Sequence, residues 1–342
     1  MGLKITELLP KREITLDELN GKTIAIDASN HLYQFLTTIR GPDGALFTDR
    51  KGRVTSHLIG LFSRTSYLLQ KNITPVYVFD GKPPVLKKKT FAQRKAVKTK
   101  AGRMYEKATE KGEEEEMKKY AARTSRLTPE MVEDAKELLK ALGVPVFQAP
   151  SEGEAQAAGI VRDGNAFAVS SQDADSLVFG SDRLIRNLSV SGRRQARGIA
   201  GEQIPPEVIV LKEFLENCGI TQEQLIILSI LIGTDYNPGG IRGIGPVKAL
   251  DLVKANKDFD KLFEELKWAD YFDFPWREVY NTIREMPASP SKKFKSEPFS
   301  KSAVKSLLCE SHGFSETRVE STLKKLEAHN KNRAQKGLGG FI

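Results

Sequence analysis

The sequence has little cysteine and histidine, and it has no long apolar run. Its two cysteines, Cys218 and Cys309, cannot build a disulfide framework and are typical of a reducing compartment. The four histidines are scattered and form no zinc-binding pattern. No stretch reaches transmembrane length, and residues 1–5 lack the apolar core of a signal peptide. We therefore expect a soluble intracellular protein with no membrane partner.

What the sequence does have is an excess of positive charge. Lys and Arg number 53 against 44 Asp and Glu, which gives a net charge of +9 over 342 residues. A basic surface attracts phosphate backbones because binding releases their counterions. Charge of this size also serves solubility, so by itself it does not establish a nucleic-acid partner. The length allows one large core or two closely joined ones.

Short apolar strands alternate with amphipathic helices along the first part of the chain. Strands are predicted at 23–27 and 75–80, and helices at 28–39 and 54–69, where apolar residues recur at helical spacing. This alternation is typical of an α/β fold with a mostly parallel central sheet flanked by helices.

Several acidic residues follow predicted strands. Asp27 and Asp80 end the first two strands, and Asp173 and Asp175 follow the apolar run 167–170. In extended backbone, residues two apart point the same way, so Asp173 and Asp175 are expected to face one point. A bound Mg²⁺ would explain two such carboxylates. Asp is also common in turns after strands, and this pair alone would favour a turn.

Three more carboxylates extend the pattern. Glu152 and Glu154 lie at a predicted helix start, where Ser151 and Glu154 also match a capping box. Asp235 follows an apolar helix predicted at 224–233 and is either a turn former or a group aimed into a cleft. So many acids in a basic protein would be destabilising unless metal ions neutralised them. Two divalent ions would suit phosphodiester hydrolysis, by activating water and stabilising the developing charge.

Residues 82–127 form a densely charged segment with few large aliphatic side chains. Such a segment buries little and is predicted to be a solvated helical insertion or disordered. The plain alternative is an exposed charged helix, whereas we favour a basic element that grips nucleic acid. Lys87 and Arg94 lie in its first part and could add positive charge at a phosphate.

A glycine pair separates the apolar helix from a second predicted helix at 249–255. Gly243 and Gly245 stand just before that helix, where exposed backbone N–H groups can hold a phosphate. Two glycines are weak support alone, but their place between two helices predicts a helix-hairpin-helix at about 225–256. We divide the chain into a nuclease core at 1–81 and 128–330, the charged insertion 82–127, and a flexible tail at 331–342. Leu338 and Phe341 in that tail suggest a docking peptide.

Five motifs together resemble one family over essentially the whole chain, the flap endonucleases, which are structure-specific 5′ nucleases. The motifs are Ile26-Asp27-Ala-Ser with Tyr33, Tyr77-Val-Phe-Asp80-Gly-Lys-Pro-Pro84, Ala149-Pro-Ser-Glu152-Gly-Glu154-Ala-Gln, Ser171-Gln-Asp173-Ala-Asp175, and Gly233-Thr-Asp235-Tyr with Arg242-Gly-Ile-Gly245. The chain looks like the archaeal form because no basic extension follows its tail.

The resemblance implies roles for these residues. It implies that all seven carboxylates bind two Mg²⁺ ions, directly or through water, with Mn²⁺ as a substitute. The seven are Asp27, Asp80, Glu152, Glu154, Asp173, Asp175 and Asp235. Lys87 and Arg94 are expected to contact the scissile phosphate, and Tyr33 to stack on a base near the cut or, alternatively, to pack in the helix core. The charged insertion is expected to form a helical arch through which the 5′ flap threads.

The resemblance also implies partners. The hairpin, with Arg242, Gly243, Gly245 and Lys248, is expected to hold duplex DNA together with a monovalent cation, K⁺. The tail is similar to the family's sliding-clamp (PCNA) peptide at Gln335, Leu338, Phe341 and Ile342, although Ile342 replaces an aromatic residue. We expect a monomer, cytoplasmic and nucleoid-associated if archaeal, and nuclear if eukaryotic.

The expected function is a Mg²⁺-dependent 5′-flap endonuclease with 5′–3′ exonuclease activity, in replication (Okazaki fragment maturation) and repair. One alternative is a haloacid-dehalogenase-like phosphatase, whose nucleophile pattern resembles Asp173-x-Asp175, although Ser176 replaces the Thr or Val that should follow. A second alternative is a DNA-junction-binding protein without catalysis. A protein that only bound phosphates would be expected to lack seven clustered acids.

Overall fold

A seven-stranded sheet forms the centre of the computed structural model. The model describes residues 5, 7–41, 43–87, 90, 99, 103–104, 125–188 and 204–338, with the backbone alone over 332–338. The strands are β1 Arg12–Glu13, β2 Thr23–Asp27, β3 Thr74–Phe79, β4 Val146–Gln148, β5 Ala168–Ser170, β6 Arg183–Arg186 and β7 Glu207–Val210. Their order in the sheet is β1-β7-β6-β5-β2-β3-β4. Each neighbouring pair among β6, β5, β2, β3 and β4 is parallel. Strand β7 pairs antiparallel with β6, and β1 pairs antiparallel with β7. The predicted mostly parallel α/β sheet is confirmed.

Strand β2 shows why the sheet is covered on both faces. Successive strand residues point to opposite faces, and every residue from Ile24 to Ile26 is fully buried. Ile24 and Ile26 join one hydrophobic core, while Ala25 joins the other. A strand that is apolar on both faces requires a helical layer on each side.

Twelve α-helices lie within the described residues. They are α1 Ala28–Thr38, α2 Ser56–Gln70, α3 Pro129–Ala141, α4 Gly153–Arg162, α5 Asp175–Val178, α6 Leu211–Cys218, α7 Gln222–Ile232, α8 Pro246–Ala255, α9 Phe259–Glu265, α10 Trp276–Arg284, α11 Lys301–Lys305 and α12 Glu316–Leu338. Short 3₁₀ turns occur at Asp17–Leu19, Val85–Lys87 and Trp268–Asp270, and a π-helical turn at Ser306–Ser311. Among these helices, none combines the length and the apolar character that crossing a membrane requires.

The helices predicted from strong periodicity are confirmed. Helices α1 and α2 match the predictions at 28–39 and 54–69 to within two residues at each end. Helix α3 has a well-defined start, because the Thr128 hydroxyl accepts the Met131 N–H and Pro129 takes the first helical position. Gly143 then ends that helical region with a positive φ of 68°.

Helices α7 and α8 form a hairpin around close backbone contacts. Helix α7 is apolar on nearly every side and starts with a capping box between Thr221 and Gln224, which the sequence analysis did not identify. After it, Gly233 and Gly240 pack so closely that a Cβ added at Gly233 would lie 2.5 Å from the Gly240 nitrogen. The hairpin geometry therefore depends on glycine at these two positions.

Replacing Gly240 by alanine is expected to destabilise the protein by about 2 to 4 kcal/mol. Gly240 has a φ of +56°, and an added Cβ would collide with the backbone of Ile232. Urea denaturation would measure the loss. The matched control is Gly245→Ala, because Gly245 has an ordinary φ of −98° and a Cβ there would meet nothing within 4 Å. Equal stability of the two variants would contradict the packing argument.

The C-terminal helices pack back onto the sheet. Helix α12 buries Val319, Leu323 and Leu326, which form one helical stripe in the core. The helix continues beyond this stripe to Leu338. The backbone is thus helical over the first part of the segment predicted as a flexible tail. The mobility and docking role of that segment stay predictions.

Candidate active site

Three carboxylates lie at the same edge of the sheet. Asp27 is the last residue of β2, Asp80 directly follows β3, and Asp173 lies just beyond the end of β5. Strands β5, β2 and β3 are adjacent and parallel, so their carboxyl ends meet. This edge is where open α/β sheets form binding sites.

The first turn of α1 connects these three acids. Asp27 caps the helix by accepting the Asn30 N–H at 3.0 Å. The Ser29 hydroxyl donates to Asp80 at 2.5 Å, and the Asn30 side-chain amide donates to Asp173 at 3.3 Å. Ser29 belongs to the motif Ile26-Asp27-Ala-Ser, but neither Ser29 nor Asn30 was predicted to be a site residue. Both residues lie in the first helical turn after a strand that ends on Asp, and this position could have indicated that they contact the acids.

Helix α4 brings two more acids to the site, but the predicted capping box is wrong. The Ser151 hydroxyl donates to the Lys82 carbonyl at 2.9 Å, and Glu152 is the N-cap residue. Glu154 instead accepts the Ser171 hydroxyl at 2.9 Å. The Gly153 N–H, which heads the helix, donates to Asp80 at 2.7 Å. Lys82 and Ser171, both distant in sequence, thus bind the Ser151 hydroxyl and the Glu154 carboxylate, the two side-chain groups that a local capping box would use.

The extended geometry predicted for Asp173 and Asp175 is also wrong. The chain bends after β5, and Asp175 is the first residue of α5. The two carboxylates still converge, because the charges of both Asp175 and Asp173 act on Glu154. They converge by a bend and a helix start rather than by strand alternation.

Burial and mutual repulsion make this cluster hard to ionise. Burial raises the pKa of Glu154 well above its usual range, and the charges of Asp175, Asp27 and Asp173 raise it further. Burial likewise raises the pKa of Asp27, with Asp80 as the largest neighbouring charge. A cation within the cluster would remove this penalty.

Lys87 places one positive charge beside this cluster without removing that penalty. It lies at the end of the turn Val85–Lys87, and its ammonium forms ion pairs with Glu152 and, at 3.2 Å, with Asp235. Burial opposes the ammonium charge, but the carboxylates of Glu152 and Asp235 outweigh it and raise the pKa of Lys87. The Thr90 hydroxyl also donates to the Asp235 backbone carbonyl. Lys87 and Asp235, distant in sequence, are therefore brought together, a pairing that the sequence did not predict.

The donor set of this cluster fits hard divalent cations. A cavity of about 30 Å³ lies within it, and the acids and the lysine that line it are Lys87, Glu152, Glu154, Asp175 and Asp235. Carboxylate oxygens are the ligands that Mg²⁺ prefers. Within the described segments, no three His, Cys, Asp or Glu side chains are already close enough to hold one ion. In this structure the Lys87 ammonium pairs with two of these acids, Glu152 and Asp235.

Other predicted site residues lie around the cluster or outside the described residues. Tyr33 projects from α1 with 37% of its surface exposed, which argues against the alternative that it packs in the core. Arg94 lies outside the described residues. Gln335 and Leu338 belong to the α12 backbone, and their side chains are not described. Phe341 and Ile342 also lie outside the described residues.

The predicted hairpin residues share one exposed surface. Arg242, Gly243, Gly245 and Lys248 are all exposed, and Gly245 is the N-cap of α8. A Cβ added at Gly243 or Gly245 would meet nothing within 4 Å. The space around these two glycines would therefore admit a side chain, in contrast to Gly233 and Gly240, although the φ of +83° at Gly243 still favours glycine. Their open space leaves the backbone accessible to an external group.

Two family models match the chain in the regions that carry the acids. The XPG N-terminal domain matches residues 3–101, and the XPG I-region matches residues 143–235. All seven carboxylates fall within these two matches.

Similar proteins cover nearly the whole chain. A protein from Aeropyrum pernix named Flap endonuclease 1 is 48% identical over 330 residues, covering 95% of this chain and 94% of its own. One of the same name from Pyrococcus furiosus is 45% identical and covers 100% and 99%. The solved flap endonuclease-1 from Methanococcus jannaschii matches with a TM-score of 0.77 at 38% identity, covering 97% of this chain and 100% of that one. The resemblance predicted from the motifs, including its archaeal form, is confirmed. These matches show that the chain belongs to the flap endonuclease family of structure-specific nucleases that act on DNA.

Proposed function

We propose that this protein cuts branched DNA carrying a 5′ flap by Mg²⁺-dependent phosphodiester hydrolysis, with an associated 5′–3′ exonuclease activity. The observation that carries the proposal is the carboxylate cluster at the sheet edge, in which Asp27 and Glu152 are buried, in a chain with net charge +9. Buried acids need cations, and a basic surface attracts a polyanionic substrate. The two features together suit metal-assisted cutting of nucleic acid.

Two Mg²⁺ ions per site are assigned to this cluster, and Mn²⁺ is expected to substitute. The carboxylates that would hold them, directly or through water, are Asp27, Asp80, Glu152, Glu154, Asp173, Asp175 and Asp235. When bound, such ions supply an activated water and stabilise negative charge at the phosphate. Asp27 and Glu152 are the buried members of this set, so an ion held there would be partly shielded from bulk water.

Positive and aromatic side chains complete the proposed site. Lys87 lies inside the cluster, where its ammonium pairs with Glu152 and Asp235. On this proposal the ammonium leaves these carboxylates and pairs with the scissile phosphate when DNA binds. Arg94 would contact the same phosphate from the segment 82–127, which we propose as the arch around the 5′ flap. Tyr33, exposed on α1, offers a ring face on which a base near the cut can stack.

The hairpin between α7 and α8 is proposed to hold the duplex. Exposed Arg242 and Lys248 lie beside Gly243 and Gly245, whose backbone is open to the solvent. A phosphate can approach N–H groups at such a helix start, and K⁺ is proposed to bridge the hairpin and the backbone. This contact is sequence-independent, as recognition of branched structure requires.

We also propose where the protein works. The residues Gln335, Leu338, Phe341 and Ile342 would dock on a sliding clamp (PCNA), with the enzyme acting as a monomer in Okazaki fragment maturation and repair. The location would be cytoplasmic and nucleoid-associated in an archaeal cell, or nuclear in a eukaryotic one. The family assignment argues against the phosphatase alternative, and a junction binder without catalysis would not need the acidic cluster.

The proposal predicts metal-dependent release of the flap. A 5′-labelled double-flap DNA, a linear single strand and a blunt duplex would each be incubated with Mg²⁺ and with EDTA. We expect cleavage at the junction of the flap substrate only with Mg²⁺, because the acids need the ion, and little cutting of the single strand. Product length on a denaturing gel would locate the cut.

Two outcomes would contradict the proposal. Tight binding to the flap without cleavage under either Mg²⁺ or Mn²⁺ would favour the junction-binding alternative. Indifference to DNA with turnover of a small phosphate ester would favour the phosphatase.

A further inference from the structure

We infer that the first turn of α1 is a positioning element, in which Ser29 and Asn30 fix the Asp80 and Asp173 carboxylates relative to Asp27. The inference rests on the proposed metal-dependent function and goes beyond it. Neither residue would touch a metal ion or DNA in this role. They act through the acids that they hold.

Asn30 is held by both ends of its side-chain amide. Its Nδ2 donates to an Asp173 carboxylate oxygen at 3.3 Å, and its Oδ1 accepts the Gln172 N–H at 3.2 Å. If the amide were turned over, an oxygen would face the carboxylate and an NH₂ group would face an N–H. Only one orientation therefore satisfies both partners. Asn30 thereby fixes both the bend after β5 and one oxygen of Asp173.

Ser29 acts on the opposite side of Asp27. Its hydroxyl donates to Asp80 Oδ2 at 2.5 Å, while Asp80 Oδ1 accepts the Gly153 N–H at 2.7 Å. Both oxygens of Asp80 are thus held by donors from two different helices. Asp27 caps the same turn through the Asn30 N–H. One helical turn therefore contacts acids from three adjacent strands.

Such a device is needed because the sheet alone does not fix these carboxylates. Asp80 and Asp173 lie beyond the ends of β3 and β5. The Gln148 side chain donates to the Asp80 carbonyl at 2.6 Å, and the Asp173 N–H donates to the Ser171 hydroxyl at 3.2 Å. These bonds hold the backbone but leave the two carboxylates to other donors. Three acids at one edge also repel one another and would move apart. A neutral hydroxyl and a neutral amide hold them without adding a charge that would compete with a metal ion.

The experiment measures Mn²⁺ binding without DNA, by the electron paramagnetic resonance signal of the free ion. The variants are Asn30→Ala, Asn30→Leu and Ser29→Ala. The matched control is Thr37→Ala, an exposed residue of the same helix whose hydroxyl bonds only to the Gln34 carbonyl. Melting temperature without metal is measured for each. Cleavage of the flap substrate is then followed as a function of Mn²⁺ concentration.

We expect each of the three variants to weaken Mn²⁺ binding by about 10- to 100-fold, as removal of a partner of a metal ligand does elsewhere. Thr37→Ala should bind as the unaltered protein does. In cleavage, the Mn²⁺ concentration for half-maximal rate should rise, while the rate at saturation is largely recovered. This separation distinguishes positioning from a direct role in catalysis.

Unchanged Mn²⁺ binding in the Asn30 variants would overturn the inference, including when their melting temperature falls, because Asn30 would then serve stability alone. If Asn30→Leu does not fold, Asn30→Ala and Ser29→Ala decide the question. Absence of Mn²⁺ binding in the unaltered protein would overturn the proposed function as well. If the unaltered protein binds Mn²⁺ and the variants bind it equally well, only the role of the α1 turn would be overturned.

Discussion

Asp175→Ala is expected to lower flap cleavage by at least about 10³-fold and to leave DNA binding intact. Asp175 begins α5 and lines the small cavity of the acidic cluster together with Glu154. Its loss would remove a proposed metal ligand. It would also remove a negative charge, so binding of the DNA polyanion should not weaken. Single-turnover cleavage and a gel-shift titration in Ca²⁺ would measure the two effects separately.

The control for this variant is Asp182→Ala. Asp182 is exposed just after α5, outside the cluster, so its loss should change neither cleavage nor binding. Normal cleavage by Asp175→Ala would refute the metal assignment at this residue. A parallel loss of binding would indicate that the substitution disturbs the fold.

Lys87→Met is expected to change three properties in different directions. Without metal, the variant should lose about 3 kcal/mol of stability, because Glu152 and Asp235 lose their buried counter-ion. Divalent ions should bind it more tightly, since no ammonium competes for the same carboxylates. Cleavage should nevertheless fall by about 10²-fold or more, because the proposed phosphate contact is missing.

The pH dependence of the stability loss in Lys87→Met follows from the titration of Glu152. Burial raises the pKa of Glu152, and Lys87 is the largest influence that lowers it. Without Lys87 that pKa rises further, so the carboxyl is neutral over a wider range and needs no counter-ion at low pH. The stability difference between the two proteins should therefore shrink as pH falls. Urea denaturation at two pH values and Mn²⁺ titration would measure both effects.

The matched control is Lys82→Met, an exposed lysine of the same segment. It should leave metal affinity and stability unchanged. Equal Mn²⁺ affinity of Lys87→Met and the unaltered protein would contradict competition between the ammonium and the metal.

The sequence predicted those parts of the site that follow from strong local patterns. Asp27 and Asp80 could be placed because apolar strands of five and six residues lead directly to them. Helix α3 was predictable because Thr128, Pro129 and Gly143 give start and stop signals within one segment. Because the carboxyl ends of parallel strands share one edge of the sheet, acids that follow such strands can be predicted to lie at that edge.

The remaining features depend on contacts between distant segments. Ser151 and Glu154 have the spacing of a capping box, but Lys82 and Ser171 offer partners that no local pattern reveals. The start of α5 at Asp175 depends on how the chain packs after β5. Strands as short as β1, with two exposed residues, leave almost no periodic pattern to detect. Tertiary packing therefore decided the orientation of the acids, although local sequence decided their identity.

The outer strands of the sheet bear on how copies of this protein behave when crowded. In the described part of the chain, β1 has two residues and β4 has three, and these strands form the two edges. Arg12 adds an exposed charge at one of them, paired with Glu18 at 3.0 Å. Edges so short offer another chain few free N–H and C=O groups with which to extend the sheet. Several copies gathered on one stretch of DNA are therefore expected to remain separate molecules and not to aggregate through their β-strands.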